Sequence, residues 1–148
     1  MSLKEKIEED LKNALRAKES LKVSCLRLIK AAIKNKEIDL RGTLEDPQVL
    51  SILSTLSKQR KESIEQFKKG GRQDLVRQEE TELALIEGYL PQALTEGELL
   101  DIIASAIAET KAQGSKDVGK VMKAVMPKIT GRADGKLVNA LVLKKLGN

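Results

Sequence analysis

Apolar side chains recur at every third or fourth position along most of the chain, which is the spacing of one face of an α-helix. No stretch combines apolar–polar alternation with enrichment in β-branched residues, as a half-buried strand would. The pattern therefore predicts an all-α protein. The N-terminal apolar lines are Ile7–Leu11–Ala14–Leu15, Leu21–Cys25–Leu28–Ala32 beside Leu26–Ile29–Ile33, Val49–Leu53–Leu56–Ile64–Phe67 and Val76–Leu83–Ile86–Leu90.

Residues that favour helix starts and stops divide these lines into elements. The predicted starts are the capping boxes Ser2–Glu5 and Thr95–Glu98, and the pair Asp46–Pro47 with Asp46 as N-cap. The predicted stops are Gly70–Gly71, Pro91 and Gly114. We therefore expect an N-terminal bundle of about four helices over residues 1–91, a joint at Pro91–Thr95, and a small three-helix module over residues 95–148.

The C-terminal module is expected to open with a helix from Thr95 to about Lys111. A short helix at about Asp117–Met126 follows, because Pro127 cannot donate a backbone hydrogen bond and favours a helix end. A turn through Pro127–Gly135 then leads to a last helix, whose apolar residues run from Leu137 to Leu146.

One ion pair is expected inside the N-terminal bundle. Arg60 lies on the apolar line of its helix, and Glu79 lies on the apolar line of the next helix. If these helices fold back on each other at Gly70, Arg60 comes opposite Glu79–Glu82. Because both groups point inward, each needs a partner of opposite charge. We therefore predict a structural Arg60–Glu79 bridge.

Charge is distributed unevenly along a chain whose net charge is +5. Residues 94–110 carry four acidic residues and no Lys or Arg, whereas residues 111–148 carry nine Lys or Arg and two Asp, a net charge of +7. Lys-rich helix faces are ordinarily solvent-exposed surface, and we interpret two groups of basic residues in the N-terminal part in this way. Those groups are Arg27–Lys30–Lys34 and Lys58, Arg60, Lys61, Lys68, Lys69 and Arg72.

Two glycine-containing loops in the basic segment precede predicted helices, at 114–120 and 131–136. Helix N-termini with flanking Lys and Arg are natural phosphate sites. The first loop has the Gly-x4-Gly-Lys spacing of a P-loop, but Val121 stands where that motif needs Ser or Thr. The segment before it is polar and helical, where a buried strand would be needed, so we expect no nucleotide hydrolysis.

The sequence contains no His, which excludes Ser/His and Cys/His nucleophile pairs and His-containing zinc sites. We predict no catalytic residue, no metal and no cofactor. Cys25 is the single cysteine and is expected to be a small buried apolar residue in a reducing compartment. No segment resembles a signal peptide or is apolar enough to span a membrane, so a cytoplasmic protein without a membrane partner is expected.

Three stretches resemble the YqeY-like family over nearly the full chain. They are Leu26-Arg-Leu-Ile-Lys-Ala-Ala-Ile-Lys; Lys58-Gln-Arg-Lys-Glu-Ser-Ile with Gly70-Gly-Arg-Gln-Asp-Leu and Glu87-Gly-Tyr-Leu-Pro; and Gly119-Lys-Val-Met-Lys with Gly131-Arg-Ala-Asp-Gly-Lys. That family is related to the tail region of the B subunit of a tRNA-dependent amidotransferase, where the tail helps to hold tRNA and the chemistry occurs elsewhere. The resemblance implies an N-terminal helical bundle and a smaller helical domain.

The resemblance and the charge together predict a non-catalytic tRNA-binding or tRNA-metabolism accessory protein. The expected phosphate-contacting residues are Lys116, Gly119, Lys120, Lys123, Lys128, Gly131, Arg132, Gly135 and Lys136. Three alternatives stay open: an adaptor for a protein partner, for example in tRNA aminoacylation; an accessory to the glutamine-dependent amidotransferase, a carbon–nitrogen ligase; and, more weakly, a DNA-binding helix-turn-helix. With only Phe67 and Tyr89 as aromatic residues, stacking of single-stranded bases is not expected.

Overall fold

A computed structural model describes residues 1–147 and contains no β-strand within that range. The prediction of an all-α protein is confirmed. The helices are α1 Leu3–Arg16, α2 Ser20–Leu40, α3 Asp46–Lys69, α4 Gln73–Glu87, α5 Glu96–Thr110, α6 Val118–Ile129 and α7 Gly135–Leu146, with a short 3₁₀ turn at Ser115–Asp117 before α6. Their packing gives two compact units, an N-terminal unit Met1–Leu90 and a C-terminal unit that begins at Pro91.

The core of the N-terminal unit is aliphatic and draws on all four of its helices. On α2 the core line runs through Val23, Leu26, Ile29 and Ile33, with Cys25 also buried. Leu28 had been placed on an apolar line with Cys25, but it is 49% exposed. The reason is rotational: Leu28 lies about 160° round the helix from Leu26, a residue of the buried line.

The ends of the N-terminal helices follow the predicted signals with one shift. Ser2 and Glu5 form the expected capping box on α1. The predicted N-cap Asp46 is wrong by one position, because Glu45 is the N-cap and its backbone N–H donates to Gln48 Oε1 at 2.8 Å. The Asp46 carboxylate instead accepts from the backbone N–H of Leu3 at 3.0 Å, so it joins α3 to the start of α1.

Two further contacts tie α1 to the rest of the unit. Glu37 at the end of α2 pairs with Lys4 and accepts from the backbone N–H of Leu44 at 2.9 Å. The Lys4 hydrogen bond, followed by the Leu44 one, lowers the pKa of Glu37. Tyr89, just after α4, donates to Asp10 Oδ2 at 2.5 Å. Burial raises the pKa of Tyr89, and the Asp10 carboxylate adds to this effect.

The C-terminal unit is built around α6, which packs against both α5 and α7. The expected turn at Pro127 is wrong, because α6 continues through Pro127 to Ile129. A proline inside a helix leaves the carbonyl four residues earlier without its partner. Here that residue is Lys123, which is exposed to water, and continuing the helix buries Ile129 completely.

Helix α5 ends where it was expected to, near Lys111, but the residue that terminates it differs from the predicted one. Gly114 was predicted to stop this helix, but the helix ends at Lys111, which adopts the left-handed conformation with φ 54°. Gly114 is extended and begins the 3₁₀ turn that leads into α6. The Thr95–Glu98 capping box at the start of α5 is confirmed.

Candidate nucleic-acid interface

The fold of α6 separates its lysines from its core residues. Val121, Val125 and Ile129 are fully buried along one side of this helix. Lys120 and Lys123 are exposed on the opposite side. This separation follows from the sequence, since the three core residues repeat every four positions, whereas Lys120 lies one position before Val121 and Lys123 two positions after it.

The other predicted lysines lie on neighbouring elements of the C-terminal unit or elsewhere on α6. Lys116 lies in the 3₁₀ turn before α6, and Lys136 lies in the first turn of α7. Lys128 projects about 80° round α6 from Lys120 and about 140° from Lys123. All five of these lysines are exposed. The structure thus brings Lys120 and Lys123 onto one face and leaves Lys128 to one side of it.

None of these five lysines forms an ion pair with a residue that the structure describes. We call Lys116, Lys120, Lys123, Lys128 and Lys136 the lysine face. Helices α6 and α7 contain six lysines and no Asp or Glu. The sequence reasoning had not selected two of them, Lys144 and Lys145, which are exposed at the end of α7. The sequence feature that could have identified them is the absence of acidic residues from the whole of α7.

Arg132 holds part of the C-terminal unit together. Its Nε donates to the backbone carbonyl of Gln92 at 3.2 Å, and its own carbonyl accepts from the backbone N–H of Leu94 at 2.9 Å. Arg132 is therefore half-buried and engaged with the segment that leads into α5. This placement gives it a structural contact in addition to any contact with phosphate.

The three predicted glycines have different surroundings. Gly131 has φ 77°, a conformation that favours glycine, and it forms the turn after α6. A Cβ on Gly119 would meet nothing within 4 Å, so its backbone is open to approach. A Cβ on Gly135 would lie 4.0 Å from Met126 Cε, which is an ordinary contact.

Carboxylates occupy both loops that the sequence suggested as backbone phosphate sites. Asp134 caps α7 by accepting from the backbone N–H of Lys136 at 3.1 Å. Asp117 accepts from the backbone N–H of Gln113 at 2.9 Å, across the loop that resembles a P-loop. A bound phosphate would have to approach these negative charges. The geometry therefore favours lysine side chains over loop N–H groups as hydrogen-bond donors to an anion.

Several basic groups of the N-terminal unit are paired with carboxylates. Lys30 Nζ lies 2.6 Å from Glu8 Oε1, and Lys61 Nζ lies 3.6 Å from Glu87 Oε1. Arg72 pairs with Asp74 at 3.2 Å between its Nη2 and Oδ2, and this hydrogen bond raises the pKa of Arg72 and lowers that of Asp74. Exposed basic residues remain, but they are interrupted by these pairs.

Arg60 lies between two carboxylates inside the α3–α4 hairpin. Its Nε is 3.5 Å from Glu79 Oε2 and 3.2 Å from Glu82 Oε2, so the structure brings the predicted pair together and adds Glu82. Burial raises the pKa of Glu82; the Arg60 charge opposes this and Glu79 adds to it. Neither Arg60 Nε nor Glu79 Oε2 has a hydrogen-bond partner among the described residues.

Cys25 packs beside this ion cluster and is fully buried. Its Sγ lies 3.9 Å from the backbone carbonyl of Glu82. Burial, followed by the charge of Glu82, raises the pKa of the Cys25 thiol to about 11. Since the thiolate is the nucleophile, the thiol is unreactive at neutral pH.

Two kinds of site are absent from the described residues, 1–147. No group of three or more His, Cys, Asp or Glu side chains is arranged to hold a metal ion. No helix is long and apolar enough to cross a membrane.

Comparison with known families decides the classification. A family model described as Yqey-like protein matches residues 4–146. This chain belongs to the YqeY-like family. The match confirms the resemblance that was based on the three sequence stretches.

Curated relatives of this YqeY-like chain share one name, "Altered inheritance of mitochondria protein 41, mitochondrial". The relative from Pyrenophora tritici-repentis is 31% identical over 144 residues, which is 96% of this chain and 80% of the relative. The relative from Lachancea thermotolerans is 33% identical over 146 residues, 94% of this chain and 78% of the relative. The relative from Eremothecium gossypii is 46% identical over 85 residues, 57% of this chain and 46% of the relative.

These names contradict the expected cytoplasmic location, because the relatives are named as mitochondrial proteins. The expectation rested on the lone cysteine and on the absence of a signal-peptide pattern. Such features distinguish a reducing from an oxidising compartment. They do not distinguish one reducing compartment from another.

Proposed function

We propose that this YqeY-like protein binds RNA through phosphate contacts made by the lysine face of its C-terminal unit, and that its RNA is tRNA. The observation that carries the proposal is the set of five exposed lysines with no ion pair among the described residues, on or next to helices that contain no carboxylate. Unpaired cations at this density attract a polyanion and release its counterions. The choice of tRNA rests on the family resemblance to the amidotransferase tail.

Binding is expected to read the RNA backbone rather than its bases. Both aromatic residues, Phe67 and Tyr89, precede Pro91, so the C-terminal unit has no aromatic side chain on which a base can stack. Lysine ammonium groups act as point charges on phosphate. Affinity should therefore depend steeply on salt and only slightly on sequence.

We propose a non-catalytic role. The chain has no His, and its one cysteine is buried with a thiol pKa raised to about 11, which makes it a poor nucleophile. If the protein assists a glutamine-dependent amidotransferase, it does so by holding RNA. The isolated chain incubated with glutamine, ATP and mischarged tRNA should release no product.

The test is a titration of the full chain with tRNA at salt concentrations from about 50 to 200 mM. The variant Lys120→Glu/Lys123→Glu/Lys136→Glu should lower the affinity at least about tenfold, and the slope of log K against log salt should fall by about 2 to 3. The matched control is Lys36→Glu/Lys68→Glu/Lys69→Glu, which reverses three exposed lysines of the N-terminal unit. It should lose much less affinity.

Two results would contradict the proposal. One is tRNA affinity that does not change across the salt range. The other is an equal loss of affinity in the two triple variants, because affinity would then depend on net charge and not on the position of the lysines. The A260/A280 ratio of protein purified at low salt gives an independent check, since bound RNA raises it.

A further inference from the structure

Helix α7 carries large apolar side chains outside its buried face as well as on it. Val138 and Val142 are fully buried against α6 and the rest of the core. Leu137 and Leu143 are 55% and 45% exposed. The outer side of α7 also carries two lysines, so it is an exposed face of leucine and lysine side chains that the described residues do not cover.

The exposed residues of this face form two crossing rows. Leu137, Ala140 and Leu143 follow each other at intervals of three residues, and this set is called the α7 row. Lys136, Ala140 and Lys144 follow at intervals of four, so the rows cross at Ala140. All five side chains are exposed. Rows of these two spacings form ridges, and the ridges of a second helix pack into the grooves between them; the small side chain at the crossing permits close approach.

We propose that the α7 row is a docking site for an acidic amphipathic helix of another protein. The leucines would receive the apolar side chains of that helix, and Lys136 and Lys144 would pair with its carboxylates. These two lysines are about 12 Å apart along the helix axis, which corresponds to acidic residues about two turns apart on the partner.

The charge of the surface around the α7 row indicates which kind of partner it binds. Because α6 and α7 contain six lysines and no carboxylate, the surface around the row complements an acidic partner. A second copy docking α7 on α7 would oppose lysine to lysine. A membrane surface is disfavoured because the C-terminal unit lacks the aromatic residues that anchor proteins at that interface. RNA phosphates gain nothing from Leu137 or Leu143.

The probe is a synthetic helical peptide of about 18 residues made of Leu, Ala and Glu, with its leucines on one face. Its control has every Glu replaced by Lys. Amide chemical shifts of the full chain should change along α7 with the acidic peptide and not with the basic one. The substitutions Leu137→Gln/Leu143→Gln should weaken acidic-peptide binding at least about tenfold.

The matched control is Leu15→Gln/Leu28→Gln, which alters two leucines of the N-terminal unit that are 47% and 49% exposed. It should leave peptide binding unchanged. Because all four leucines are exposed, each variant is expected to fold. The variant Leu137→Gln/Leu143→Gln should also bind tRNA as before, which separates this proposal from the proposed function.

A second variant, Lys136→Glu/Lys144→Glu, tests the charge component and should also lose the acidic peptide. The proposal would be overturned by shift changes that avoid α7, by equal binding of the basic peptide, or by equal losses in the two leucine variants. It would likewise be overturned if Leu137 and Leu143 were needed for self-association in sedimentation. Binding to vesicles of phosphatidylglycerol and phosphatidylcholine that depends on these leucines would also overturn it.

Discussion

The two units have almost the same net charge but use their charged residues differently. Residues 1–90 contain 18 Lys or Arg and 16 Asp or Glu, and residues 91–148 contain nine and six, so the net charges are +2 and +3. In the N-terminal unit, cations such as Lys4, Lys30 and Lys61 lie next to carboxylates of neighbouring helices. In the C-terminal unit the lysine face has no such partner among the described residues. Net charge alone therefore does not locate an interface; the separation of charge between helices does.

The cores of the two units also differ in whether they contain polar and charged side chains. The N-terminal unit buries the polar side chains of Ser57 and Glu82, and the Arg60 cluster lies among its helices. The buried residues of the C-terminal unit, within the described chain, are all apolar. One unit thus uses charge internally, and the other keeps it at the surface. Substitutions in each unit test this contrast.

Removing Arg60 should strongly destabilise the N-terminal unit. Arg60→Leu leaves Glu79 and Glu82 facing each other without a cation, and breaking a buried ion pair from one side costs about 3 kcal/mol. Urea unfolding of the full chain measures the effect. The triple variant Arg60→Met/Glu79→Leu/Glu82→Leu should recover most of the loss, because it removes the stranded carboxylates together with the guanidinium.

The control for this prediction is Arg72→Ala, which breaks the exposed pair with Asp74. Exposed pairs contribute little, so its unfolding midpoint should stay close to that of the parent. A similar midpoint for Arg60→Leu would mean that the buried cluster is energetically equivalent to a surface pair. The contrast between the two cores would then be only geometric.

A smaller effect is expected from Glu82, and it should depend on pH. Burial raises the pKa of Glu82 in the folded state. A carboxyl with a raised pKa favours folding below its unfolded pKa, and this contribution is lost as pH rises through the folded value. Glu82→Gln should therefore become more stable relative to the parent as pH rises above the ordinary carboxyl pKa of about 4. Urea unfolding at several pH values measures this difference, and a constant difference would show that the carboxyl is not perturbed.

The fold class and many helix ends could be predicted because they depend on local signals. The Ser2 and Thr95 capping boxes and the stop at Gly70 involve residues a few positions apart. Pro127 misled the prediction because its local preference is outweighed by the burial of Ile129, a tertiary effect. Likewise, periodicity could not show which of two adjacent lines on α2 faces the core, and Leu28 was therefore misplaced.

The candidate site was predictable in composition but not in its detailed contacts. The sequence located the positive charge in residues 111–148. It could not show that Arg132 binds the carbonyl of Gln92, because that contact spans 40 residues. Nor could it show that Asp117 and Asp134 use their carboxylates on the two glycine loops. Side-chain hydrogen bonds depend on where the backbone returns, which is a property of the tertiary fold.

The smallest expected effect concerns the cations that end helices in both units. Arg41 ends α2 with φ 53°, and Lys111 ends α5 with φ 54°. The left-handed conformation costs a non-glycine residue about 1 kcal/mol, and glycine loses part of that gain through its greater freedom when unfolded. Arg41→Gly and Lys111→Gly should each stabilise the protein by about 0.5 kcal/mol in thermal or urea unfolding. Gly131→Ala, at φ 77°, should have the opposite sign.

Comparing Arg41 with Lys111 also shows where the lysine face ends. If both glycine variants gain stability and both bind tRNA as before, these cations serve only to end helices. If Lys111→Gly gains stability but loses tRNA affinity while Arg41→Gly does not, the lysine face extends to the end of α5. The strain at Lys111 would then be retained because its charge contributes to binding. Loss of stability in both variants would instead mean that their side chains stabilise the helix C-termini by more than the backbone strain costs.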